Sequence, residues 1–386
     1  MRIGIPREAQ PGETRVALTP GTVPLLLRDG HEVFIQAGAG AQAHFTDTRY
    51  ARAGAHIVET AQELYDQSDA VFKVQPPIQD PLTGRHEAGM LREGSICIGL
   101  LAPLTRADVV ATFARRQITS YALEFIPRIS RAQGMDALTS MATVAGYKAV
   151  LLAADNLDKL FPLMMTAAGT VAPASVLVLG VGVAGLQAIA TAKRLGARVF
   201  AFDPRPAVRE QVLSLGASFL EMEVTEHVET AGGYAREQAE TFLQSERAII
   251  AGRLPDMDVV ICAAQVFGKR APILITADMV AQMRSGAVIV DLAADQGGNC
   301  EVTEPGRETK HNGVLVIGAG NLPTLVPADA SQFYAHNVTN LFRYLYPAQG
   351  TPPDATDEIL RQTCVTRDGE IVSEAVRAAL QQGTSV

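Results

Sequence analysis

The chain has 386 residues, 47% hydrophobic and 19% charged, with a formal net charge of −8. That length holds about two domains with sizeable cores, and the acidic balance excludes nucleic acid as a partner, because phosphate backbones select basic surfaces. No uninterrupted apolar run reaches the roughly eighteen residues of a membrane span, so no transmembrane segment is expected.

The N-terminal run MRIGIPRE lacks the long apolar core of a signal peptide and begins as a strand, so cytoplasm is the default location. Short β-like runs follow at 2–5, 33–36, 70–73, 96–100 and 119–122, separated by amphipathic stretches such as 23–27 and 61–65. Strands alternating with helices at this spacing predict a parallel α/β sheet. This front region has no GxGxxG. Cys97, Cys262, Cys300 and Cys364 are far apart and lack CxxC spacing, as expected of buried thiols in a reducing compartment. From 135 to 160 the pattern turns helical, with Ala145, Val150, Leu151 and Leu157 forming an apolar stripe.

Residues 176–203 read VLVLGVGVAGLQAIATAKRLGARVFAFD. An apolar strand runs into Gly180, Gly182 and Gly185, which open a helix; Gly196 ends that helix, and a second strand delivers Asp203. Gly180 permits the tight turn, Gly182 lets the backbone approach a pyrophosphate, and Gly185 allows close helix–strand packing. The helix start, with Val183 and Ala184, offers unpaired N–H groups and a positive dipole end to phosphates. Asp203 lies 18 residues after Gly185, where an acid accepts adenosine ribose hydroxyls and repels a 2′-phosphate. The reading is therefore NAD(H) rather than NADP(H), with Arg205 close enough to soften the discrimination.

Further strands are expected at 219–221, 259–262, 287–291 and 314–317, giving six around the fingerprint in a doubly wound sheet. More than thirty residues separate the strand near 219 from that at 259, an insertion whose length suggests function or mobility. Within it Gly232 and Gly233 precede Tyr234, which reads equally as a hinged ring over a nucleotide or as a surface turn. After Gly320 a loop leads to an amphipathic helix that returns to the front domain. The expected architecture is α/β, with two Rossmann-like domains built on parallel sheets. The second, at 135–321, is a doubly wound dinucleotide-binding domain inserted into the first, at 1–134 plus 322–386, with the ligand in the cleft between them.

Arg15 and Lys73 suit an anionic ligand, although surface cations are common. PRISRAQGMDALT places Arg128, Gln133, Asp136 and Thr139 on one loop entering a helix. There Gln133 suits a nicotinamide carboxamide, and Arg128 with Asp136 suits holding the loop in shape; equally, Asp136 suits a plain helix cap. No metal site is expected, since neither HExxH nor clustered Cys and His occurs, and no GxSxG nucleophile is present.

The runs RIGIPRE, PGETRVALTP, VFKVQPP, PRISRAQGMD, AGYKAV, MMTAAGTVAPA, TAGGYA, DLAADQGGN and TCVTRDGEIV, with the fingerprint, resemble the NAD(H)-binding domain I, carried on the alpha subunit, of proton-translocating nicotinamide nucleotide transhydrogenase. PRISRAQ, TAGGYA and TCVTRDG are specific to it, whereas the fingerprint and the PRE run are shared with the related alanine dehydrogenases. The resemblance implies that Arg128, Gln133, Asp136 and Thr139 surround the nicotinamide, with Gln133, Arg128 and Asp136 serving catalysis. It implies that Gly180, Gly182 and Gly185 hold the pyrophosphate, that Asp203 holds the ribose, and that Tyr234 lies on a loop closing over NAD(H).

Thr139 stands where a Ser is expected. Alanine dehydrogenases keep an Arg, a Lys and a His in their substrate pocket; Arg15 and Lys73 remain here, but Leu100 takes the place of the His and cannot shuttle a proton. Asp295 follows the dehydrogenase pattern. Direct hydride transfer between two nicotinamides needs apposition and water exclusion rather than an acid or base. The resemblance further implies NADP(H) on a separate partner subunit, a membrane-spanning subunit that moves protons, a homodimer, and a peripheral position on the cytoplasmic face of the inner membrane. An alanine-type amino-acid dehydrogenase and a non-catalytic NADH-sensing module stand as alternatives.

Overall fold

The computed structural model describes residues 1–222, 240–266 and 268–383. It separates into two compact units, Met1–Met141 with Pro323–Val386, and Ala142–Leu322. In the first unit, β1 (Arg2–Ile5), β2 (Glu32–Gln36), β3 (His56–Val58), β4 (Ala70–Phe72), β5 (Ile96–Gly99) and β6 (Thr119–Ala122) pair in parallel. Their spatial order β6-β5-β4-β1-β2-β3 puts a topological switch point between β1 and β4. Continuous apolar runs make these central strands because both sheet faces are covered: Ile3, Ile5, Val71 and Phe72 are fully buried.

The apolar pattern does not announce β3, a three-residue edge strand with His56 exposed. Nor does it announce Cys364–Arg367, which joins β6 antiparallel and pairs in turn with Glu370–Ile371. The helix expected after Gly320 is Pro327–Leu345. It packs on the first unit's sheet through the helical spacing of Tyr334, Val338, Leu341, Phe342 and Leu345, with the rings of Phe342 and Phe72 5.1 Å apart.

The second unit opens with an exposed hairpin, β7 (Met164–Thr166) and β8 (Gly169–Val171). Its main sheet comprises β9 (Ser175–Leu179), β10 (Arg198–Phe202), β11 (Ser218–Phe219), β12 (Val259–Cys262), β13 (Val288–Asp291), β14 (Glu308–His311) and β15 (Val314–Gly318). The order is β11-β10-β9-β12-β13-β15-β14, a doubly wound sheet with its switch point between β9 and β12. Side chains alternate into two cores. Val176, Val178, Ile261 and Val290 fill one face, while Leu177, Leu179, Val260 and Ile289 fill the other.

Six strands are expected from the apolar runs, and the sheet has seven. The extra one is β14, antiparallel to β15 across Asn312 and Gly313, whose φ values of 51° and 81° match a two-residue hairpin turn. The Asn-Gly signal is present in the sequence, but Glu308–His311 is polar and its face is only half covered, so apolar periodicity does not find it.

The helix Ala137–Asn156 is, among the described residues, long and apolar enough by length and composition to cross a membrane. Its Ala149, Val150 and Ala153 are fully buried in the second unit's core, against the helical layer of the sheet. An apolar helix without a polar stripe is what a packed interior position selects.

Candidate functional site

In the second unit the fingerprint glycines do three different things. Gly180 takes φ 89° and lies so close to the Ala263–Ala264 peptide that a Cβ would come within 2.6 Å of Ala264 N. At Gly185 a Cβ would come within 1.9 Å of the Gly180 carbonyl oxygen, so no side chain fits between helix and turn. Gly182 is exposed, with nothing within 4 Å of its Cβ position. A side chain there would fill only the space in front of the helix Val183–Arg194, where the N–H groups of Val183 and Ala184 lie outside the helix's own ladder. These features fit a phosphate group at the helix start.

Two supports of this turn are not visible in the motif. The Cβ position of Gly146, on the helix Ala137–Asn156, lies 2.1 Å from the Ala184 carbonyl oxygen, so the two helices touch backbone to backbone. Asn299, fully buried, uses its side-chain amide to bond both the N–H and the C=O of Ala264, at 3.0 and 2.8 Å, and reaches Pro272 O at 2.9 Å. It thereby fixes the loop lying over Gly180. An Asn directly after a Gly-Gly pair is the only hint of this in the sequence.

Asp203 ends β10 beside the turn and accepts a 2.7 Å bond from Val181 N. Its other donors, among the described residues, all come from Arg205: N and Nε to Oδ1, each at 2.9 Å, and Nη2 to Oδ2 at 2.9 Å. Glu246 is also buried in this unit, and burial, followed by the Asp203 charge, pushes its carboxyl up to about 8. Tyr234, with Gly232 and Gly233, lies outside the described residues. Asp295 is exposed and stands 3.6 Å from the Cβ position of Gly320.

In the first unit, Arg128 and Gln133 are exposed on a stretch that includes the 3₁₀ turn Ser130–Met135, leading into the helix that begins at Ala137. Asp136 caps that helix, accepting Thr139 N at 2.8 Å and Thr139 Oγ1 at 2.7 Å. The partner of Asp136 is thus Thr139 rather than Arg128. The turn is anchored by residues that sequence proximity does not indicate. Asn337 and Asn340 both donate to Gly134 O, and Arg131 pairs with Asp357 at 3.0 Å.

Arg15 and Lys73 do not face a ligand as free cations. Arg15 forks onto Glu13, at 2.8 Å through Nε and 2.6 Å through Nη2, with both residues buried. Lys73 has no exposed surface and bonds Glu87 at 2.6 Å and Glu8 at 3.2 Å. Burial disfavours its ammonium, but Glu8 and Glu87 outweigh burial and hold it above its ordinary range. Burial raises Glu8 against the pull of Lys73. For Glu13 burial acts upward too, and the Arg15 bonds overcome it to hold the carboxyl low.

Leu100 follows β5 and precedes a turn that Glu124 organises by accepting Leu101 N and Ala102 N, where Ala102 takes φ 47°. Burial pushes Glu124 up from 4.5 to about 7, against its backbone bonds. A carboxyl raised in the fold favours folding while protonated; the contribution is fully present below the unfolded value and is lost as pH rises through about 7. Thermal stability should therefore fall between pH 5 and pH 8, and Glu124→Gln should flatten that fall by at most about 3 kcal/mol. Melting curves at the two pH values check it, and an equal slope in the variant would remove Glu124 as a cause.

Family models match both halves of the chain: alanine dehydrogenase/PNT, N-terminal domain, over residues 4–145, and C-terminal domain over 149–374. The chain is 46% identical over 383 residues to the first of the separately encoded pieces of the NAD(P) transhydrogenase alpha subunit of Rhodospirillum rubrum, covering 97% of this chain and 99% of that one. The solved transhydrogenase structure from Sinorhizobium meliloti superposes with a TM-score of 0.84 at 36% identity, covering 97% and 100% of the two chains. Alanine dehydrogenase of Mycolicibacterium smegmatis is 32% identical over 385 residues, 97% of this chain and 96% of that one. The α/β architecture, the doubly wound sheet and these matches agree, and the chain belongs to the alanine dehydrogenase/PNT family.

Proposed function

We propose that this chain is the NAD(H)-binding subunit of a proton-translocating nicotinamide nucleotide transhydrogenase. It presents NADH to NADP+ held by a partner subunit, while a membrane-spanning subunit couples hydride transfer to proton movement. The observation that carries the reading is a contrast between the two units. One holds a complete dinucleotide fingerprint; in the other, the cations an amino-acid or keto-acid substrate would need are buried and neutralised by Glu13, Glu8 and Glu87. The higher identity to the transhydrogenase subunit, 46% against 32%, supports the same choice.

Gly180, Gly182, Val183, Ala184 and Gly185 hold the pyrophosphate, and Asp203 the adenosine ribose. Arg128, Gln133, Asp136 and Thr139 serve the nicotinamide end, with Tyr234 on the covering loop. The bound dinucleotide supplies the hydride. This chain's residues bind it, orient the ring and exclude water, and no proton transfer is required of them. Asp136 and Thr139 support this role by locking the turn that displays Gln133.

A homodimer seated at the periphery of the inner membrane, on its cytoplasmic face, completes the reading. The β7–β8 hairpin supports the dimer: Leu163, Met164, Met165 and Val171 are all exposed there, and an isolated two-stranded ribbon with apolar side chains is marginal without a covering surface.

Mixing the chain with a recombinant NADP(H)-binding subunit tests the proposal. Hydride transfer between nucleotides is expected in the mixture and not with either component alone. Gln133→Ala should slow transfer at least ten-fold while changing NADH affinity less, because positioning acts most in the transition state. Pyruvate- and ammonia-dependent NADH oxidation by the isolated chain would overturn the proposal in favour of an amino-acid dehydrogenase, a reading that the presence of Asp295 favours. NADH binding without transfer in the mixture would favour a sensing module.

A further inference from the structure

We propose that Arg205 is a latch on Asp203: its guanidinium occupies the carboxylate that receives the adenosine ribose, leaves it when the dinucleotide binds, and so sets the preference for NAD(H) over NADP(H). The inference rests on the NAD(H) reading of the site.

The Asp203 carboxylate has no lone pair to spare. It accepts three bonds from Arg205 and one from Val181 N, and the residue is only 6% exposed. A carboxylate offers about four acceptor directions, so a ribose diol cannot bond it while the fork is in place. Val181 N belongs to the fingerprint turn and Arg205 N to the strand end; both are backbone donors that remain when a ligand arrives. The guanidinium, by contrast, swings on a flexible stem. Its place is the one the two ribose hydroxyls would take.

The displaced guanidinium remains tethered two residues from Asp203, beside the ribose edge that carries the 2′-phosphate in NADP(H). Glu246, buried nearby and electrostatically coupled to Asp203, adds a second acid to that edge. Without Arg205 a 2′-phosphate would meet carboxyl groups alone; with it, one cation is at hand. The same side chain therefore opposes NAD(H) by competition and tolerates NADP(H) by charge, so its removal should move the two affinities in opposite directions.

Fluorescence titrations of wild type, Arg205→Gln, Arg205→Lys, Asp203→Asn and the Asp203→Asn/Arg205→Gln double variant with NADH and NADPH test this. Arg205→Gln should bind NADH about five-fold tighter and NADPH about ten-fold more weakly. Arg205→Lys, which keeps the charge and loses the fork, should tighten NADH without the NADPH loss. In the Asp203→Asn background, Arg205→Gln should leave NADH affinity unchanged, because the latch has nothing to hold. The ¹⁵N resonance of Arg205 Nε in the wild type should shift when NADH is added. Unchanged or weaker NADH binding by both Arg205 variants, or an unmoved Nε resonance at saturating NADH, overturns the latch. Failure of the folded wild type to bind NADH at all overturns the reading on which it rests.

Discussion

Lys73→Ala is expected to cost the protein about 3–5 kcal/mol of stability, the penalty for leaving buried carboxylates without their cation. Carboxylates from two other segments converge on this ammonium. Glu8, just beyond β1, also accepts Val74 N at 2.6 Å, and Glu87 also accepts Ile78 N at 3.0 Å and Tyr65 Oη at 2.9 Å. Removing Lys73 strands two acids in a buried site where neither can be fully hydrated. Urea unfolding followed by circular dichroism measures the loss. Lys73→Met combined with Glu87→Gln should recover part of it, because the second change removes one uncompensated charge. A Lys73→Ala protein of native stability that has lost affinity for an anionic ligand would instead make Lys73 a ligand-binding cation, and would reopen the dehydrogenase reading.

Gly185→Ala is expected to damage both fold and nucleotide binding, whereas Gly182→Ala should damage binding alone. At Gly185 the added methyl would sit 1.9 Å from a backbone oxygen, so the helix must move away from the turn, a shift costing about 1–3 kcal/mol and displacing the N–H groups that face the phosphates. NADH affinity should drop by more than about ten-fold, at least about 1.4 kcal/mol of binding. At Gly182 nothing lies within 4 Å of the methyl, so the melting temperature should hold while the methyl occupies the space a phosphate requires. Paired melts and NADH titrations separate the two. Equal losses of stability in both variants would show that the open space at Gly182 is not reserved for a ligand.

The fold is largely legible in the sequence because its central strands are buried on both faces. Runs such as VLVL at 176–179 and VVIC at 259–262 need no partner to be recognised. Edge strands are less so: β3 and β14 are short and polar, and the Cys364–Arg367 strand finds β6 far away along the chain, with Thr366 Oγ1 and Ser120 Oγ 2.6 Å apart across a separation of 246 residues. Contacts at that separation leave no periodic trace in either segment.

At the site, the order of residues is enough to specify the backbone geometry. Three glycines between a strand and a helix, with an acid at the next strand end, have one low-energy use, since a Cβ at Gly180 or Gly185 would collide with the main chain. The residue types displayed by PRISRAQGMD are equally plain from the sequence. What the charged groups do emerges only from the packed chain. Arg15 and Lys73 read as ligand cations until Glu13, Glu8 and Glu87 are seen against them. Asp203 reads as an open acceptor until Arg205 is found on it, and Asp136 until Thr139 is. Steric limits on a backbone are local and so are written in neighbouring residues. A charge takes its meaning from whichever groups the fold brings within about 3 Å, and that is settled by packing.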